Sequence, residues 1–450
     1  MTTCDCVIIG GGLAGLTTAL EVAEAGQKVV VLEADSVVGG RTASWNEDGM
    51  HVESGFHRYI GFYSHLPRIL KKAGVKLEDI VTWEEKVEVR SPRNQQTVTL
   101  GVAPLFGPLK MLKTMTGNHP CLENKDIVST MQFFLSGLKD YYLHPSALDQ
   151  WTVQEYAKKH RLTEAAFHYI VIPLSTGIYF LPPERYSAYN FFGLFAVGLP
   201  RMLKMRIGAY LGGMTEVMCK PMAEKIKSLG GAVHTNQKVE SLLVTEDGRA
   251  VNGAKTSDGK EWRGEHTAVA VSLHAAKQLL KSDFSAHESF RSLFALPTMD
   301  ACTFQIDMKK PLLPKDITTF GPGTCLASFA EQSRTTFQDS SGRLSIILAP
   351  PERFTDLSGE ETLDIVLKDL HAIGTPLNRD DIITYRKIVH HHDFYHLGPG
   401  HHKMRPSQKT PIKGLTLAGD YTMQPFFATM EGAVYSGKLA ANCITAKSRI

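Results

Sequence analysis

A short apolar run over residues 5–9 gives way to a glycine-dense stretch over 10–15, then to helically spaced apolar positions over 16–25. A second apolar run over 28–32 ends in Glu33. Strand, tight turn, helix and parallel strand in that order predict a βαβ unit. Beyond it, residues 66–73 carry a helical pattern and 86–100 alternate as strands do. Residues 104–211 read mostly as helix, dense in aromatics and Met. A second α/β passage follows: a helix over 216–229, a turn at Gly230-Gly231, strands within 232–245, a turn at Glu246-Asp247-Gly248 and a short buried strand over 268–271. Residues 303–308 and 344–348 predict strands of a further sheet, with 360–373 as a helix over it. A last strand over 415–418 runs into Gly419-Asp420, and a helix rich in small residues covers 431–444. The fold class is α/β, with the α/β pieces at the beginning, middle and end forming one domain that is interrupted twice.

Bulk composition narrows the class without choosing a function. The 450 residues carry 49 Lys and Arg against 46 Asp and Glu, a net +3, so no nucleic-acid partner is expected. With 43% hydrophobic and 21% charged residues the chain is an ordinary folded protein, and its length predicts at least two domains. Seven cysteines, widely scattered and without a C-x-x-C pair, fit a reducing compartment. The first residues lack the basic start of a secretion signal, so a cytoplasmic location is expected. Residues 165–183 are uncharged and as long as a membrane span, but His168, Pro173, Ser175, Thr176 and Pro182-Pro183 predict buried core instead. Residues 186–200 are uncharged and aromatic, and Arg201, Lys204 and Arg206 follow at once. That pattern suits a helix on a membrane surface or a core helix with a solvated end, and hydrophobicity does not separate the two.

Three motifs carry chemistry. Gly10-Gly11-Gly12-Leu13-Ala14-Gly15 fits G-x-G-x-x-G between strand and helix, where glycines let the backbone approach a pyrophosphate at the helix N-terminus. Glu33 lies 18 residues beyond Gly15, where its carboxylate can accept a bond from a ribose hydroxyl. In Gly39-Gly40-Arg41-Thr42-Ala43-Ser44, Arg41 can offset phosphate charge and Ser44 can donate a hydrogen bond. Leu417-Ala418-Gly419-Asp420, followed by the segment from Ala428 to Gly437, offers a carboxylate at a strand end and helix-opening amides that can face a flavin carbonyl.

Together these motifs resemble the flavin amine oxidase superfamily, and within it the phytoene desaturase branch with zeta-carotene desaturases and the related hydroxysqualene dehydroxylases. The resemblance extends through Glu53-Ser54-Gly55-Phe56-His57, Gly61, Tyr63 and Ala103-Pro104-Leu105, and is strongest over 415–437. It implies FAD as cofactor, in a Rossmann-like domain of residues 1–85, 211–275 and 408–450. A discontinuous α+β substrate domain, partly helical and able to face a membrane, would take 86–210 and 276–407. The implied FAD contacts are Gly10, Gly12, Leu13, Ala14, Gly15, Glu33, Ala34, Gly39, Gly40, Arg41, Thr42, Val239, Gly419, Asp420, Met430 and Ala433. The implied reaction is desaturation of a long apolar isoprenoid or carotenoid-like substrate, with a quinone or oxygen as electron acceptor and peripheral association with a membrane. Amine oxidation, allylic dehydroxylation and a non-enzymatic prenyl-binding escort are the alternatives; no local motif here supplies the lysine that amine oxidases hold near flavin N5.

His57 falls where the desaturase branch also has a histidine. An imidazole there can orient substrate, take a proton or hydrogen-bond its own loop. Arg58 departs from the apolar residue expected next to it: facing the cavity, it would favour a polar head group or quinone, and pointing outward it would be solvated. His57 and Arg58 are thus the two candidate catalytic residues. His390-His391-His392, His396 and His401-His402 match no standard metal spacing, so no metal is expected; some of them line a redox cavity and the rest meet solvent. Lys309-Lys310 before Pro311 reads as a solvated strand end.

Overall fold

A computed structural model describes residues 2–84, 86–101 and 121–446. The Ala103-Pro104-Leu105 motif and the start of the aromatic region lie outside the described residues. The βαβ unit is Thr2–Ile9, helix Leu13–Glu24 and Val29–Leu32. All four residues of Val29–Leu32 are buried, since the strand lies inside the sheet between Ala232–His234 and Thr2–Ile9 with helix Leu13–Glu24 packed against it. In that sheet the order is Ala232–His234, Val29–Leu32, Thr2–Ile9, Glu261–Val269, Val251–Thr256, Val239–Val244.

The strand expected over 268–271 is instead Glu261–Val269, nine residues long. Its first half pairs antiparallel with Val251–Thr256 and its last three residues pair in parallel with Leu415–Leu417. The polar residues Glu261, Arg263 and Glu265 interrupt the apolar run and hide the first half from a hydrophobicity reading. Strands from the beginning, middle and end of the chain thereby meet in one sheet.

The second sheet has the order Ile382–Tyr395, Thr298–Met308, Arg343–Leu348, Leu326–Glu331, Thr319–Phe320, Lys86–Arg90, Thr97–Gly101. Helix Gly359–Ala372, started by a reciprocal cap between Ser358 and Glu361, packs its Leu363, Val366 and Leu370 on this sheet's core. A small third sheet joins Tyr59–Ile60 and Val81–Glu84 to Ile207–Tyr210.

The helical region contains Asn124–Leu143, Ile172–Tyr179 and Ala188–Gly198. Residues 186–200 follow the reading of a core helix with a solvated end. Ala188–Gly198 is a core helix, with Phe191, Phe192 and Ala196 buried. The turn after it, Leu199–Lys204, holds Leu199 and Leu203 at the surface beside Arg201 and Lys204. Among the described residues no helix is long and apolar enough to cross a membrane.

Candidate active site

One continuous cavity of about 1770 Å³ begins at the glycine turn, passes between the two large sheets and ends among the helices. Gly10 has φ +103°, and a Cβ there would lie 2.6 Å from the carbonyl oxygen of Ala270. A Cβ on Gly15 would lie 2.0 Å from Gly10 O, so this glycine lets helix and strand touch. Gly12 differs, because its nearest neighbour would be Gly39 O at 3.8 Å; here the missing side chain leaves room in the cavity wall. Helix Leu13–Glu24 has no side-chain cap and no acid in its first turn, which leaves its opening amides free for an anion. Glu33 is buried, with Oε2 accepting from Gly11 N at 2.6 Å and Oε1 from Asp35 N at 2.9 Å. Burial raises its pKa, against the lowering effect of those amides. Glu33 therefore shapes the turn as well as lining the cavity.

Arg41 donates to Asp420 Oδ1 at 2.5 Å and stacks its guanidinium 4.6 Å from the Phe394 ring centre. Gly39, Gly40, Arg41, Thr42, Gly419 and Asp420 line one stretch of wall. Leu13, Ala14, Ala34, Val239, Met430 and Ala433 line it too, so the residues named for FAD surround a common space, except Gly15, which lies behind the wall against Gly10 and Ala270. Ser44 does not join them. Its hydroxyl donates to Glu216 Oε2 at 2.6 Å and accepts from Thr215 N at 2.9 Å, so it ties two segments together instead of serving a phosphate. The last helix, Met430–Thr445, is capped by Thr429. Its Glu431 reaches away from the cavity and accepts the amides of Ser64, His65 and Leu66, capping the helix Leu66–Lys72.

Further along, His57 lines the cavity with Nδ1 3.4 Å from Glu53 Oε2. Glu53 is itself fixed, accepting Met214 N at Oε1 at 2.8 Å. Arg58 also lies in the wall, yet its donors are taken: Nε is 2.9 Å from Glu84 Oε1 and 3.0 Å from Thr318 Oγ1, and Nη2 pairs with Asp316. Burial raises Glu84, an effect that Arg58 opposes. The single cation is outnumbered by two buried carboxylates and has no reach left for a polar substrate, nor does it point to solvent.

Of the histidines, His390 enters the wall, with Nε2 2.6 Å from Ser54 O and Nδ1 3.6 Å from Asp393. His391 and His392 stand exposed beside Asp300. Among the described residues no group of three or more His, Cys, Asp or Glu is arranged to hold a metal ion. Beyond Arg58 the wall becomes mostly apolar, formed by Phe134, Leu138, Leu174, Ile178, Leu194 and Phe195, with Thr130 and Arg206, whose guanidinium lies over the Trp83 ring, as its polar members. Met131, Leu135 and Leu199 line the cavity and are also 51%, 66% and 39% exposed, so they form a mouth. Glu53, Glu84, Asp316 and Asp393 escaped the sequence reading as site residues: Glu84 and Asp316 meet Arg58 only in the fold, and Glu53 and Asp393 take their roles from the His57 and His390 imidazoles that the fold turns into the cavity wall.

A two-sheet fold with an open glycine turn, uncapped helix amides, a buried acid ending the second strand and an Arg–Asp pair defines a dinucleotide-type flavoprotein. The space fits the cofactor: it exceeds an ordinary small-ligand site, and Gly12 leaves open the wall where a pyrophosphate belongs. Comparison agrees, since residues 13–445 match the flavin containing amine oxidoreductase family. The chain belongs to that family, and it is an FAD-dependent oxidoreductase. It is similar to the 15-cis-phytoene desaturase of Solanum lycopersicum, 29% identical over 98% of this chain and 77% of that one. The zeta-carotene desaturase of Synechocystis sp. is 27% identical over 98% and 96% of the two chains. Among solved structures a putrescine oxidase superimposes with TM-score 0.77 at 16% identity, covering 99% of both chains.

Proposed function

We propose that the protein desaturates a long apolar isoprenoid of the carotenoid-precursor type. The observation that carries this reading is the cavity beyond Arg58: mostly apolar from Leu174 and Ile178 to Met131 and Leu135, with Arg58 itself sealed by Glu84 and Asp316. An amine would lose its hydration there without a carboxylate to pair with. The similarity to phytoene and zeta-carotene desaturases supports the same substrate class.

Gly10, Gly12, Leu13 and Ala14 would hold the pyrophosphate region, with Gly15 letting the helix approach the strand behind them, Glu33 and Ala34 at the ribose, and Arg41 and Asp420 between them and the flavin. Gly39, Gly40, Thr42, Val239, Gly419, Met430 and Ala433 complete the wall. Bound FAD would supply a two-electron acceptor for a hydride from an allylic C–H. The chain's own work is to align the hydrocarbon, exclude water and receive a proton. His57, whose Nδ1 lies beside Glu53, would accept the proton at Nε2. A quinone or oxygen would take the electrons onward. We further propose that the mouth formed by Met131, Leu135 and Leu199 rests on a lipid surface, with Arg201 and Lys204 toward phosphates. On this reading residues 1–85, 211–275 and 408–450 form the FAD domain and the intervening stretches the substrate domain.

The test is anaerobic absorbance of the flavoprotein before and after adding a phytoene-like isoprenoid in micelles. Loss of the oxidised flavin bands together with new absorption from a longer conjugated system is expected. Oxidised flavin left unchanged by isoprenoid but reduced by an amine would refute the substrate class.

A further inference from the structure

Arg405 lies outside every motif read from the sequence and is 4% exposed. Its Nε donates to Tyr421 O at 3.3 Å, Nη1 to Gln424 O at 3.0 Å, and Nη2 to Asp420 O at 2.9 Å and to Thr422 O. The rings of Tyr395 and Phe427 flank it, with centres 5.3 and 5.8 Å from Cζ. Unlike Arg41, Arg58 and Arg343, it forms no ion pair with a carboxylate among the described residues. A planar guanidinium presents five donors in fixed directions, so it can gather carbonyls that would otherwise converge unpaired in a buried space.

The gathered segment begins at Asp420 and leads to the helix that opens at Met430. Gln424 adds a second bond to Asp420 O at 2.8 Å and one to Phe427 O at 2.8 Å. Both ends of the proposed flavin site are therefore set by the same buried hub: the Asp420 carboxylate on Arg41, and the amide that starts the last helix. We infer that Arg405 is a positioning residue for cofactor binding, holding the loop in its FAD-receiving shape before the cofactor arrives. This inference rests on the reading of Asp420 as an FAD contact. A cofactor that meets a preformed loop is spared the cost of ordering it.

The experiment is a double-mutant cycle on FAD affinity, read by flavin fluorescence on titrating apoprotein. It uses wild type, Asp420→Ala, Arg405→Lys and the double variant, with urea midpoints of each apoprotein measured alongside. Lys keeps the charge but has three donors on a rotating head, so it cannot hold four carbonyls. Each single variant is expected to weaken FAD binding on the order of tenfold, and the double variant no more than about twofold beyond the weaker single. Wild-type affinity in Arg405→Lys overturns the inference, as does a double variant whose loss is the product of the two singles. A merely stabilising role would lower the urea midpoint and leave the cycle multiplicative. Wild-type affinity in Asp420→Ala removes the Asp420 reading and the inference with it, an outcome distinct from multiplicative loss. Should Arg405→Lys fail to fold, Gln424→Met, which breaks one bond to the same Asp420 carbonyl, enters the same cycle with the same expectation.

Discussion

Replacing Arg58 by Leu should destabilise the fold strongly, and more so as pH rises. The Arg58, Glu84 and Asp316 side chains are 8%, 4% and 4% exposed, so the variant strands two carboxylates in the interior. Among the described residues only Thr318 N, Thr318 Oγ1 and Thr335 Oγ1 remain as their donors. Breaking a buried pair by removing one partner costs about 3–5 kcal/mol. With roughly 2.1 cal/mol/K of unfolding entropy per residue, the 450 residues convert this loss into a fall in Tm of about 3–5 °C. The pH dependence follows from Glu84, which burial already raises while Arg58 opposes the rise. Without Arg58 it goes higher still. A carboxylate raised in the folded state binds more protons there than in the unfolded chain. The loss should therefore be small below the unfolded pKa of about 4.3 and grow as pH climbs through the folded value. Urea denaturation of wild type and Arg58→Leu at pH 5 and pH 8 measures it, and Glu84→Gln with Asp316→Asn in the same background should restore most of the stability. Equal losses at both pH values, or no restoration by the neutral amides, would refute the reasoning.

Three further outcomes follow from the structure. Gly12→Val should abolish FAD binding while leaving apoprotein stability near wild type, whereas Gly15→Ala should unfold the apoprotein more readily because its Cβ would overlap Gly10 O; flavin content and urea midpoints measured together separate the two. His57→Gln should keep full flavin occupancy and slow substrate-driven flavin reduction by about 10²-fold or more, and stopped-flow absorbance that shows wild-type rates would remove His57 from the chemistry. Asp149 is buried beside Ser187, and burial lifts its pKa to about 6 from an ordinary 3.8. Ionising it opposes folding, so stability should decline by up to about 3 kcal/mol between pH 4 and pH 7 on its account; Asp149→Asn should flatten that slope, and an unchanged stability-pH profile would count against the shift.

Much of the cofactor end could be read from the sequence because its determinants are local. The turn needs glycines within six residues, and the acid must follow one strand later; spacing alone encodes both. The same holds for Leu415–Leu417 running into Gly419-Asp420, and for the helix over Val366 and Leu370. The strand Glu261–Val269 was half visible, since its first part owes its state to pairing with Val251–Thr256 and not to an apolar run.

What the tertiary structure alone decided is the state of the charges. Residue identity put Arg58 next to His57, but only the fold brought Glu84, 26 residues on, and Asp316, more than 250 residues on, to close its guanidinium and leave the tunnel mostly apolar. Ser44 reads as a phosphate donor from its motif and becomes a tie to Glu216, which the fold brings within hydrogen-bonding distance of its hydroxyl. Arg405 carries no motif and gains its place from four carbonyls that converge only when the loop after Asp420 is folded. Backbone turns and apolar periodicity act over a few residues and survive in one dimension; a buried charge is settled by whichever partner the chain's long-range packing brings within hydrogen-bonding distance.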